Sequence, residues 1–130
     1  MSQENVEVVE RAIAAVNTRD LDAYLSCCTE DIQLSTPILG EVYEGRDGIH
    51  RFFNDIGDTA PDFKLAVERL EIIGEDRVLA LVRVTATGRA SRVPTEATTG
   101  NVYDLIDGKI TRVRIFMDRH EALEAAGLRE

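Results

Sequence analysis

Only two cysteines occur among the 130 residues, Cys27 and Cys28, and they are adjacent. Neighbouring side chains diverge, so the two do not pair readily, and no framework of spaced cysteines points to an oxidising compartment. They read as one buried helix residue beside one exposed neighbour. Histidine is equally scarce: His50 and His120 are the only two, and neither belongs to an H-x-x-x-H or similar spacing, so no metal site is expected. No stretch approaches the ~20 apolar residues of a membrane span. Met1 to Glu10 holds three glutamates and no apolar core of a signal peptide, so a cytoplasmic location is expected. No glycine-rich phosphate loop precedes a helix, and there is no nucleophile elbow. Repeats, low-complexity runs and linkers are also missing, which leaves one domain over residues 1–130.

Positive charge is in deficit, with a formal net charge of −9. Such a surface repels phosphate backbones and anionic headgroups, which argues against nucleic acid or a membrane as a partner. Arginines between Arg83 and Arg92, and at Arg112 and Arg114, leave room for a local basic stripe. With 44% hydrophobic and 30% charged residues the composition is that of a folded domain, long enough to bury a core without disulfides or metals.

Val6, Val9, Ile13 and Val16 recur at helical spacing and predict an amphipathic helix over Ser2 to Thr18. Asp20 is a good N-cap for a second helix, with Leu21, Tyr24, Leu25 and Cys28 on one face. Ile32, Leu34 and Thr36 alternate with polar residues up to Pro37, the pattern of a short strand. Ile38 to Gly45 reads as a loop with an extended piece at Val42 and Tyr43. Ile49, Phe52, Phe53 and Ile56 form the stripe of a third helix that starts near Arg46 or Asp47 and ends around Gly57 and Pro61. From Phe63 the period becomes two. Phe63, Leu65 and Val67 share one face, then Leu70 and Ile72 take the opposite phase, as a β-bulge requires. Arg77 to Thr87 is a long strand with Val78, Ala80, Val82, Val84 and Ala86 on one face and Leu79 and Leu81 on the other. Gly88 to Thr95 is turn-like. A strand over Glu96 to Ile106, a hairpin at Asp107-Gly108, a strand over Lys109 to Met117 and a short helix over Arg119 to Ala126 complete the chain, with Gly127 ending the helix. Helices first and long strands afterwards give an α+β fold.

The order of short motifs carries a resemblance. Arg19-Asp20-Leu21-Asp22-Ala23, Thr29-Glu30-Asp31-Ile32 running into Pro37, and Tyr43-Glu44-Gly45-Arg46-Asp47-Gly48-Ile49 resemble the first half of SnoaL-like proteins, within the nuclear transport factor 2-like superfamily. Gly74 to Val78, Asp107-Gly108-Lys109-Ile110 and Phe116-Met117-Asp118 resemble the second half. The resemblance implies a cone-shaped curved antiparallel sheet packed against three N-terminal helices, with a short C-terminal helix, a pocket inside and often a dimer. It implies no single reaction: such relatives include polyketide cyclases, ketosteroid isomerases, epoxide hydrolases, dehydratases and non-catalytic carriers. Isomerase-type relatives need a carboxylate base before the proline, a helix tyrosine and a late-strand acid. The matching positions here are Thr36, Ala12 and Asn101, none of which is a carboxylate.

Candidate site residues follow from both readings. Asn101 and Tyr103 share a strand face, so an amide and a phenol would converge on the pocket if that face is concave. Asp118 ends the last strand near where cyclase-like relatives place an acid/base aspartate. Asp118-Arg119-His120-Glu121 also spells a capping box before Leu123, a purely structural role. Tyr24, Thr36, Phe53, Val113, Ile115 and Met117 are expected to line a ligand pocket, with Arg112 and Arg114 pointing outward. His50 lies beside its helix stripe rather than within it and reads as a rim residue. Tyr43 reads as a loop residue at the pocket mouth. Two functions compete: a binding module that holds a small hydrophobic oxygenated ligand, and a cofactor-independent acid/base enzyme acting on such a molecule (cyclase, isomerase, dehydratase or hydrolase). The missing carboxylate at Thr36 favours binding. A homodimer is expected through the outer face of the sheet, because Leu79 and Leu81 would otherwise face water.

Overall fold

The computed structural model describes residues 2–37, 40–88 and 92–127. Helices α1 (Ser2–Thr18) and α2 (Leu21–Ser26) lead into strand β1 (Cys28–Thr36). Then come β2 (Glu41–Glu44), helix α3 (Gly45–Thr59), strands β3 (Lys64–Ile73), β4 (Arg77–Thr87), β5 (Pro94–Ile106) and β6 (Lys109–Phe116), and helix α4 (Arg119–Ala126). The six strands form one curved, unclosed sheet in the order β2-β1-β6-β5-β4-β3. The fold is α+β, as expected.

Local chemistry sets the boundaries. Asp20 caps α2, its carboxylate accepting from the Ala23 amide at 3.0 Å. Arg19 precedes it in a left-handed conformation (φ 57°), stabilised by guanidinium bonds to the carbonyls of Pro61 and Phe63. Asn17 ties the end of α1 to the edge strand: its carboxamide donates to the Leu65 carbonyl at 2.9 Å and accepts from the Leu65 amide at 2.8 Å. The phase change in β3 is a register shift between Val67 and Arg69. Leu65 and Leu70, five apart in sequence, both pack on the core, which only a bulge permits.

Several expectations are corrected. α2 stops at Ser26, so Cys28 opens β1 rather than sharing a helix face with Tyr24. Both cysteines are buried, not one. β1 is longer than the Ile32–Thr36 core of its pattern, because Cys28 to Thr36 pairs with β6. That pairing is parallel, whereas the other four neighbouring pairs are antiparallel. β1 and β6 are far apart in sequence, and the long crossover between them allows a parallel match. Tyr43 lies in β2, fully buried, with its hydroxyl 2.6 Å from the Asp55 carboxylate. The part of the expected 38–45 loop at residues 38–39 lies outside the described residues.

The helices divide between the two faces of the sheet. α1, α2 and α3 pack on the concave face, against Val78, Ala80, Val82 and Val84 of β4, Tyr103 and Leu105 of β5, and Ile110 and Val113 of β6. α4 packs on the convex face, where Ala122 and Ala126 form a second cluster with Leu79 and Val102. Leu79 is 0% exposed within this one chain. The cover that a second copy was expected to supply there comes from α4, so the argument from an uncovered Leu79 to a dimer no longer holds. Beside this cluster Asp104 accepts from Arg77 at 2.8 Å and from Arg112 at 2.8 Å, with Arg114 at 3.7 Å. Burial opposes ionisation of Asp104, but the hydrogen bonds and charges of Arg77 and Arg112 outweigh it and hold its carboxyl below the usual range.

α4 can approach this closely because residue 100 is glycine. A Cβ on Gly100 would stand 2.3 Å from the Ala122 Cβ. Gly100→Ala is therefore expected to cost about 1–3 kcal/mol by overpacking. In the Gly100→Ala/Ala122→Gly double variant a coupling of about 1 kcal/mol or more should return. Urea unfolding of the four proteins in the cycle measures this; a neutral Gly100→Ala would mean that α4 is not seated on β5.

Candidate functional site

A cavity of about 450 Å³ opens between the concave face and the C-terminal half of α3. The strand registers explain where it begins. Tyr103 of β5 pairs with Val78 and Val113, and this row is filled by α2: Tyr24 packs edge-on against Phe53 at 5.5 Å between ring centroids. One row further on, Asn101 pairs with Ala80 and Ile115. There the helical cover thins, and Asn101 and Ile115 become cavity wall. Thr99, Ala97 and Thr95 continue the β5 wall, Val84 and Ala86 the β4 wall, and Leu65 the β3 wall. Phe52, Ile56 and Thr59 of α3, with Ala60 just after it, close the opposite side, and Thr36 and Pro37 a third.

Most of this wall is apolar. Its buried polar side chains are Thr36, Thr99 and Asn101, with Thr99 at 0% and Asn101 at 2% exposure. The Thr99 hydroxyl donates to the Asn101 carboxamide oxygen at 2.9 Å. Residues 99, 101 and 103 alternate onto the same face, so Tyr103 stands directly behind this pair. Burial pushes its phenol up to about 12, against an opposing hydrogen bond from Asn101. Tyr24 is raised well above 10 by burial, with a smaller contribution from Cys28, and burial pushes Cys28 itself to about 12. These three groups stay protonated near neutral pH and are poor nucleophiles or bases as they stand.

The structure sorts the expected site residues into three sets. Thr36, Asn101, Ile115 and Met117 line the cavity. Tyr24, Phe53, Val113 and Tyr103 lie in the packed core and do not appear in its wall, because they sit on the row that the helices fill. Phe53 borders instead a shallower surface groove with Arg19, Leu21 and His50. Asp118 belongs to neither set. It is exposed, and its carboxylate accepts from the His120 amide at 2.8 Å as the N-cap of α4. Arg112 and Arg114 face outward to Asp104, as the strand phase requires. Ala12, the position of the helix tyrosine in isomerase-type relatives, is fully buried in α1.

The sequence reading missed Thr99. The alternation Thr95, Ala97, Thr99, Asn101, Tyr103 contains it, and counting back by two from Asn101 would have found it. Among the described residues no three His, Cys, Asp or Glu side chains group as they would around a metal ion. No described helix is long and apolar enough to cross a membrane.

The cap at Asp118 gives a direct test. Asp118→Asn should leave stability nearly unchanged, because asparagine caps about as well, whereas Asp118→Ala should cost about 0.5–2 kcal/mol. Thermal or urea unfolding reads the difference; equal losses in both variants would remove the capping role.

Comparison with known proteins places this geometry. The model of the SnoaL-like domain matches residues 9–113. No curated protein has a significantly similar sequence. Among solved structures, an NTF2-like protein of unknown function from Burkholderia pseudomallei superimposes with a TM-score of 0.79 at 20% identity, covering 93% of this chain and 95% of that one. TerC, co-crystallised with polyporic acid, gives 0.78 at 22% identity, with 95% and 98% covered. The epoxide hydrolase/cyclase-like enzyme SalBIII gives 0.76 at 24% identity, with 88% and 90% covered. At these identities the likeness is one of fold. The family match spans most of the chain, and with the curved, unclosed sheet it identifies the protein as a member of the SnoaL-like family.

Proposed function

We propose that this protein binds a small hydrophobic, oxygenated molecule in the cavity between α3 and the concave sheet face. The observation that carries the reading is the cavity itself: about 450 Å³, walled by aliphatic and aromatic side chains, with the bonded Thr99–Asn101 pair set into one side. Ligand sites in proteins have this character, a largely apolar concavity of ~300–1,000 Å³ with a few convergent polar groups. The apolar wall supplies affinity through burial. A hydroxyl or carbonyl oxygen facing Thr99 and Asn101 would exchange its water for their hydrogen bonds, so its desolvation is compensated there. That TerC was co-crystallised with polyporic acid gives this reading a precedent on the same fold.

Binding is preferred to acid/base catalysis on the chemistry of the wall. Proton transfer near neutral pH needs a group that titrates there. The position of the isomerase base is Thr36, which lines the cavity as a hydroxyl, and Asp118 is spent on capping α4 at the surface.

Filling the cavity is the test. Calorimetric titration with 2-acetylnaphthalene, an apolar bicycle carrying one carbonyl, should give measurable binding to the native protein. Ala97→Trp, which puts an indole where Ala97 lines the wall, should weaken it at least about tenfold, the equivalent of ~1.4 kcal/mol. Circular dichroism shows whether the variant is folded. A folded Ala97→Trp protein that binds like the native one would overturn the reading.

A further inference from the structure

We infer that the cavity accepts its ligand only in uncharged form, so that a weakly acidic ligand such as a phenol or enol is taken up as the protonated species. The inference rests on the binding reading above and adds the charge state of what is bound.

Every polar side chain in the described wall is neutral at any ordinary pH: the hydroxyls of Thr36, Thr59, Thr95 and Thr99 and the carboxamide of Asn101. Hydroxyls and amides compensate a ketone, ether or alcohol oxygen. They compensate a full charge less well, because its removal from water is strongly unfavourable without an ion partner.

The surroundings reinforce this. Ala86 and Thr95 of the wall also border a surface groove that holds Asp62 and Glu96, with the Arg19 guanidinium near enough to Asp62 to favour its charged form. The Thr87 amide donates to Asp62 at 2.8 Å and holds its carboxyl below the usual range, so it stays ionised. Arg83, the cation near Glu96, lies between Glu96 and Glu68 and is shared with both. Asp118, which follows the wall residue Met117, is an exposed carboxylate that caps α4, and its neighbour Arg119 is paired with Glu68. Behind the Thr99–Asn101 pair stands the protonated phenol of Tyr103. An anion would therefore approach a chain of net charge −9 and meet no cation in the described wall. A buried cation would likewise meet no carboxylate there.

The consequence is a pH dependence that belongs to the ligand. Two probes of nearly equal shape separate the possibilities: 4-nitrophenol, whose hydroxyl ionises near neutral pH, and 4-nitroanisole, which does not ionise. Each is titrated calorimetrically into the native protein from about pH 6 to about pH 9. The anisole should bind with a Kd that stays constant across the range. The phenol should match it at low pH and then weaken about tenfold for each pH unit above its own pKa, the linkage expected when only the protonated species binds. If the anisole binds while the phenol holds its affinity or gains with rising pH, a cation meets the phenolate and the inference is wrong, with the binding reading intact. If the anisole affinity itself changes with pH, a protein group at the site titrates, and the inference is again wrong. If neither probe binds at millimolar concentration, the binding reading fails and takes this one with it.

Discussion

The close seating of α4 on β5 at Gly100 is the contact around which the architecture is arranged. A curved sheet has two apolar faces to cover, and this chain covers each with its own helices. Three helices close the concave side. On the convex side the small residues Ala122 and Ala126 let one short helix lie against Leu79 and Val102, with Gly100 leaving the space that Ala122 occupies. Because α4 covers β5 at Gly100 and Val102, the strand around Asn101 is backed by packed side chains. A rigid backing of this kind is what a preorganised binding wall needs.

The cavity is a result of how far the helical cover extends. Where α2 and α3 bring Tyr24 and Phe53 over the sheet, the row of Val78, Tyr103 and Val113 is core. One row on, at Ala80, Asn101 and Ile115, the cover withdraws and the same strand face becomes wall. The division between core and site is thus a matter of position along the strands rather than residue type. Tyr103 and Asn101 are two residues apart and equally buried, yet only Asn101 borders the open space. This also accounts for the character of the wall. Aliphatic residues suited to a core continue past its edge, and the polar groups among them are hydroxyls and an amide that need no charge partner.

Much of this was legible in the sequence. The period-two runs located β4, β5 and β6, the phase change at Val67 to Leu70 located the bulge, and the D-x-x-E pattern located the cap at Asp118. The motif order pointed to the fold. What was not legible has physical reasons. Periodicity assigns residues to faces but not to depth, so Val113, Ile115 and Met117 looked equivalent although Val113 is core. The leucines on the outer face of β4 signalled a need for cover, and nothing in that strand said what supplies it. The answer lay in two other places: a glycine inside a strand, which marks a close approach of something to the backbone, and alanines four apart on the last helix. Cys28 was assigned to a helix because its spacing from Tyr24 fits one, and the helix ended two residues earlier to free β1 for its parallel match with β6.

The proposed binding requires that the concave row at Asn101 and Ile115 takes up the ligand, while the convex cluster of Leu79 and Val102 under α4 stays packed. A methyl-resolved NMR titration with 2-acetylnaphthalene tests it most directly. Binding in the cavity predicts shifts confined to the methyl groups of Leu65, Val84, Ile115 and Met117, with Leu79, Val102 and Leu123 unmoved. Shifts that fall instead on Leu79, Val102 and Leu123 would put the ligand on the convex face and contradict it.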